Sequence, residues 1–166
     1  MKQNVKNTAF LALCTSLALI LSYVEVLLPP IFAAVPGIKM GLANIVVIFL
    51  LYRCSLREAT AVSLVRIVLV ALLFGNAASL IYSLSGGILS LAVMALLRKA
   101  GLFSELGVSV AGGVFHNAGQ VLAAMILLDT PELLYYLTVL TVTGSLAGIF
   151  VGFCGSVLIK KIPKKF

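Results

Sequence analysis

His116, Asn117 and Gln120 stand together in the stretch GVFHNAGQ, and His116 is the chain's only histidine. GVSVAG precedes the string and VLAAMILL follows it, so three hydrogen-bonding side chains fall near the middle of an apolar segment. An imidazole can donate, accept or titrate, and an amide donates and accepts at once. On a helix His116 and Gln120, four residues apart, share one face. Asn117 stands about 100° round the same helix. In hydrocarbon such groups either join helices, at about 1 kcal/mol per bond, or line a cavity.

Arg66, in VSLVRIVLVALLFG, raises the same question with a full charge. It lies about nine residues from Arg57 and about nine from Gly75, in the middle of its apolar run. A charge at that depth costs at least about 2.5 kcal/mol and faces a cavity or a partner. Counting residues along the runs puts no carboxylate at its level. Glu25, Asp129 and Glu132 fall near one surface and Glu58 and Glu105 near the other. Arg66 therefore snorkels, bonds neutral groups, or meets an anionic ligand.

Several kinds of chemistry are missing. There is no GxxxxGK[ST] phosphate loop, no HExxH and no GxSxG elbow. Cys14, Cys54 and Cys154 are too scattered for a CxxC metal or redox set. Asp129 is the only aspartate, so the clustered carboxylates that hold magnesium against a diphosphate are not available. The expectation is a non-enzyme with no metal and no cofactor.

The elements that position these residues follow from composition. The chain has 166 residues, 62% hydrophobic and 10% charged, with a mean hydropathy of +1.21. Its apolar runs reach the roughly 18 residues that cross a bilayer as a helix, and they lack the period-two alternation of a barrel strand. The expected fold is all-α: a polytopic membrane protein of six transmembrane helices in one bundle, a single domain over 1–166. The spans run from about 8 to 28, 39 to 53, 57 to 75, 77 to 98, 106 to 128 and 133 to 159. The basic start followed by LALC resembles a cleavable leader, but Leu13 is large and the apolar run continues to Leu28, so span one is read as retained.

Charge sets the topology. With the N-terminus in the cytoplasm, Lys2, Lys6, Arg53, Arg57, Arg98, Lys99, Lys160, Lys161, Lys164 and Lys165 fall inside, and only Lys39 falls in an outer loop. That asymmetry places the chain in the cell membrane with both termini cytoplasmic. The net charge of +7 is then a matter of topology, and nucleic acid is not an expected partner.

In this frame Asn44 falls in the outer half of span two and Asn76 near the outer end of span three. With Arg66, His116, Asn117 and Gln120 they describe a substrate pocket open to the outside; a network joining helices is the alternative. The apolar loop PPIFAAVPGIK either covers that pocket, with Lys39 at its base, or packs on top of the bundle. Small residues four apart mark close helix packing: Gly144, Gly148 and Gly152 in span six, Ser79, Ser83 and Gly87 in span four. Thr8, Ala12 and Ser16 form a similar stripe on span one, facing either the bundle or a second membrane protein.

Three stretches, KMGLANIVVIFLLY, FGNAASLIYSLSGGILSLAVMALLRK and GVFHNAGQ, together with the short second span, resemble the heptaprenyl diphosphate synthase component I family, also called the Gx transporter family. That family is in turn similar to the S components of energy-coupling-factor transporters, six-helix proteins that capture micronutrients at the outer face. The resemblance implies a substrate-binding subunit that docks on a transmembrane coupling subunit carrying two ATPases. Its ligand would be a micronutrient or a quinone- or isoprenoid-related compound with an anionic group facing Arg66. S components meet the coupling subunit through an Ala-x-x-x-Ala pattern on span one. Here Ala12 and Ser16 keep the small size without the second alanine. The alternative is a non-catalytic membrane anchor or regulatory subunit of a prenyl diphosphate synthase. That enzyme's catalytic subunit would meet the basic rim of Arg53, Arg57, Arg98 and Lys99.

Overall fold

The computed structural model describes residues 2–27 and 41–162. Lys39 and the rest of PPIFAAVPGIK lie outside the described residues, as do Lys164 and Lys165. All regular structure described is helical: α1 (Lys2–Leu27), α2 (Asn44–Arg53), α3 (Leu56–Phe74), α4 (Ala77–Ala100), α5 (Glu105–Leu128), a 3-10 turn (Pro131–Tyr135) and α6 (Tyr136–Lys161).

Local signals explain where the helices begin and end. Ser55 and Glu58 form a capping box at the start of α3, and Asn76 and Ser79 form one at the start of α4. The Ser104 hydroxyl accepts from the Gly107 N–H at the start of α5. Gly101, at φ +69°, ends α4 in the left-handed conformation that glycine adopts without a Cβ penalty. Arg98 and Lys99 close α4, and Lys160 and Lys161 close α6, where cations meet the negative end of the helix dipole.

α5 is the central helix, packed along its length against α4 and α6. Both contacts are antiparallel and depend on missing side chains. A Cβ on Gly113 would lie 2.2 Å from the Gly144 carbonyl oxygen, and one on Gly148 would lie 2.6 Å from Val110 Cα. The ladder expected on span six is therefore the seam to α5. On α4 the close approach falls one residue earlier than the expected ladder. A Cβ on Gly119 would meet the Ser85 carbonyl oxygen at 2.7 Å and Gly86 Cα at 2.9 Å. Gly87 faces α3 instead, where a Cβ would meet Ile67.

α1 runs parallel to α3. Asn7 Nδ2 donates to Glu58 Oε1 at 3.0 Å near one end, and the Ser22–Arg66 contact lies higher up. With the antiparallel pairs α3–α4, α4–α5 and α5–α6, this gathers Lys6, Arg53, Arg57, Arg98, Lys99, Lys160 and Lys161 at one end of the bundle. Asp129, Glu132 and Tyr135 lie at the opposite end.

Four stretches are long and apolar enough to cross a bilayer: Val5–Leu27, Ala77–Ala100, Glu105–Leu128 and Pro131–Lys161. Their outward faces carry large apolar side chains such as Leu13, Leu96, Ile126, Leu146 and Phe153, all more than half exposed, as lipid-facing surface requires. α3 has 19 residues but carries Arg57, Glu58 and Arg66. α2, with 10 residues, spans about 15 Å, roughly half of the hydrocarbon thickness. It is buried on every side from Ile45 to Leu51, so it belongs to the core. It begins at Asn44, five residues later than the sequence suggested. Counting from Arg53 at the basic end, Asn44 lies about 14 Å up the helix axis.

Candidate functional site

The late start of α2 creates the site. The helix begins inside the bundle after a turn in which Gly41 takes φ +83°, open to glycine and strained for other residues. The Asn44 N–H donates to the Gly41 carbonyl oxygen at 2.8 Å and closes that turn. The Gly41 N–H in turn donates to Glu25 Oε1 on α1. A carboxylate at a helix start is favoured by the helix dipole as well as by the hydrogen bond.

Glu25 lies on the buried face of α1 with Cys14, Ala18 and Ser22. Across from that face α3 presents Ser63, Arg66 and Val70 inward. Arg66, 7% exposed, donates from Nη1 to the Ser22 hydroxyl at 3.3 Å, and the Glu25 charge acts on it electrostatically. Sequence counting sets Glu25 near one surface; the structure sets its carboxylate against the Gly41 turn, on the same buried face of α1 as Ser22, the hydrogen-bond partner of Arg66.

On the other side of the turn stands His116. A Cβ built on Gly41 would lie 2.9 Å from Asn44 Nδ2 and 4.0 Å from His116 Cδ2. One built on Gly86 would lie 3.3 Å from His116 Cε1 and 2.8 Å from Gln120 Cγ. The imidazole is thus held between the α2 turn and the bare backbone of α4, with the Gln120 side chain one turn along. Arg66, Ser22, Glu25, Gly41, Asn44, His116, Gly86 and Gln120 form one continuous arc across α1, α2, α3, α4 and α5.

Within this arc some polar atoms are left over. Gln120 is 1% exposed, and among the described residues neither its Oε1 nor its Nε2 has a hydrogen-bond partner. Arg66 Nε and Nη2 are in the same position. So is the Ser90 hydroxyl, which lies 3.3 Å from where a Gly112 Cβ would be. A cavity bordered by Gly41, Asn44, Ser109 and Gly112 holds about 10 Å³, room for about one water. Among the described residues no three His, Cys, Asp or Glu side chains are grouped to hold a metal ion.

The remaining expected site residues lie elsewhere. Asn117 is buried but points to α6, where Nδ2 donates to the Leu140 carbonyl oxygen at 2.8 Å. Asn76 is exposed and caps α4 through Ser79. Thr8, Ala12 and Ser16 lie on an exposed face of α1, with the Ser16 hydroxyl donating to the Ala12 carbonyl oxygen at 3.0 Å.

Ser22, Gly41, Gly86 and Ser90 were missed. Ser22 and Glu25 had a usable signal, because they follow Cys14 and Ala18 at steps of four and then three residues, which keeps all of them on one helix face. Gly86 had none, since its neighbour Gly87 fits the same pattern.

The sequence profile of the heptaprenyl diphosphate synthase component I family matches residues 14–158. The match takes in every residue of the arc, and the chain belongs to that family. No curated protein and no solved structure matches the chain.

Proposed function

We propose that this chain is a non-catalytic, substrate-binding subunit of the cell membrane. It crosses the bilayer six times with its basic end and both termini in the cytoplasm. Its ligand is a small organic compound, micronutrient-like or related to quinones and isoprenoids, that enters from the opposite end and is bound along the arc. The observation that carries this reading is Gln120. A fully buried side-chain amide with neither atom partnered among the described residues costs about 1–3 kcal/mol per unmet group. A protein keeps such a group where something else supplies the missing bonds.

Arg66 Nη2 supports the same reading from the far side of the arc. An anionic group on the ligand would meet the Arg66 atoms left without a partner among the described residues. Beside Asn44 the arc already borders a cavity of about 10 Å³, room for about one water. In the S-component-like form of this reading, the exposed face of Thr8, Ala12 and Ser16 meets a coupling subunit bearing two ATPases. Asn76 and Lys39 then act at the entrance, and Asn117 holds the α5–α6 wall.

Family membership favours a second reading, in which the chain is the membrane subunit of a prenyl diphosphate synthase and its cytoplasmic basic rim holds the catalytic subunit. One experiment separates the two. The tagged protein is purified from native membranes in mild detergent, and both co-purifying proteins and small molecules released on denaturation are identified by mass spectrometry. A released compound lost in Gln120→Met and Arg66→Ala, with a coupling subunit and ATPases alongside, supports the first reading. A stoichiometric prenyl synthase and no released compound would overturn it in favour of the second.

A further inference from the structure

The α3–α4 face carries a feature that the arc does not use. Between these helices runs a groove of about 280 Å³ whose lining includes Leu56, Ser63, Ile67, Gly87, Leu91 and Ala95. Gly87 forms its floor, where a Cβ would come 2.8 Å from Ile67 Cδ1. Leu64 and Ile88 flank it and are exposed, so the groove opens sideways, toward lipid. At its Leu56–Ala95 end it adjoins a second cavity of about 360 Å³, bounded by Leu51, Leu56, Ala95, Arg98 and Lys99.

The lining changes from aliphatic to doubly cationic between Ala95 and Arg98, one helical turn. Arg98 is held in place by the Tyr52 ring, with its guanidinium carbon 5.3 Å from the ring centroid. Arg53, next to Tyr52, has a buried Nε with no partner among the described residues. Arg53, Arg98 and Lys99 bring three positive charges to this end of the groove.

An apolar slot open to the bilayer and ending in cations at the membrane surface is complementary to an amphiphile with an anionic head. Basic pockets between transmembrane helices bind anionic lipid head groups in this way. A water-soluble anion would meet the cations and leave the slot empty. We propose that the α3–α4 groove is a binding site for an anionic phospholipid of the leaflet at the basic end, with one acyl chain along the groove and its phosphate between Arg98 and Lys99.

The test is native mass spectrometry of the full chain, purified in detergent and offered equal amounts of phosphatidylglycerol and phosphatidylcholine. Wild type is expected to retain one phosphatidylglycerol in preference to phosphatidylcholine. Each cation near the membrane surface contributes a factor of roughly five to anionic binding. Arg98→Gln with Lys99→Gln should therefore lower phosphatidylglycerol occupancy by roughly twentyfold or more.

Ala92→Phe fills the groove from an exposed position and should remove bound lipid of either head group while the size-exclusion profile stays unchanged. Equal retention of the two lipids, or retention untouched by either variant, would overturn the assignment. Displacement of the lipid by geranylgeranyl diphosphate at stoichiometric concentration would also overturn it, since the groove would then belong to a prenyl diphosphate.

Discussion

Replacing Gln120 by methionine should make the ligand-free protein more stable. Methionine keeps the unbranched chain through Cγ, the part of Gln120 that packs against the bare backbone of Gly86, where an added Cβ would come 2.8 Å from Gln120 Cγ. The change removes one buried donor group and one buried acceptor, both unpartnered among the described residues. Each unmet group costs about 1–3 kcal/mol, so relief of both amounts to about 2–6 kcal/mol before packing losses. Those losses are about 1 kcal/mol for a near-isosteric change, which leaves a gain of roughly 1–5 kcal/mol.

Cys14, buried at 7% exposure, is a convenient reporter. With Cys54 and Cys154 changed to serine, the melting curve of a thiol-reactive dye in detergent follows core opening alone. The expected result is a higher midpoint for Gln120→Met, together with loss of any stabilisation by the native ligand. A midpoint lowered by the equivalent of about 1 kcal/mol or more would mean that the amide is already satisfied in the free protein. The argument that Gln120 awaits a ligand would then fail.

Other expectations follow from single contacts. Gly113→Ala would put a Cβ 2.2 Å from the Gly144 carbonyl oxygen and should destabilise by about 1–3 kcal/mol. Gly107→Ala, where the nearest atom would be 3.6 Å away, should be neutral or stabilise by about 0.5–1 kcal/mol; the same dye melt compares the two. Asn117→Ala removes the 2.8 Å bond to Leu140 and should lower stability by about 0.6–1.7 kcal/mol while leaving ligand affinity, measured by isothermal titration, within about twofold. Arg66→Ala and His116→Ala should insert normally, as judged by membrane fractionation, and lose ligand uptake; equal loss of folding in both would point to a purely structural role. Ser55→Ala breaks the capping box of α3 and should cost about 1 kcal/mol in the melt without changing ligand release.

The helices were legible because the bilayer imposes simple demands. Length and apolarity mark α1, α4, α5 and α6, and lysines and arginines mark which end each loop occupies. The Gly144–Gly148–Gly152 seam was legible for the same reason, since close approach in lipid requires small residues at helical spacing. His116, Gln120 and Arg66 stood out because polar groups in hydrocarbon always need an explanation.

Other features depended on where backbones stop and tilt. α2 begins at Asn44 because the chain turns through Gly41 inside the bundle, and no composition signal sets that depth. That turn, by donating to Glu25, ties a buried carboxylate of α1 to the start of α2, a pairing that residue counting along separate spans does not show. Asn117 and Gln120 are three residues apart and look alike in sequence. The α5–α6 contact occupies the first with Leu140, and the α4–α5 contact buries the second with no partner among the described residues. Sequence alone determined which side chains needed partners. Only the tertiary structure decided which of them have partners, because the number of hydrogen bonds a buried group makes depends on the neighbouring backbone a few ångströms away.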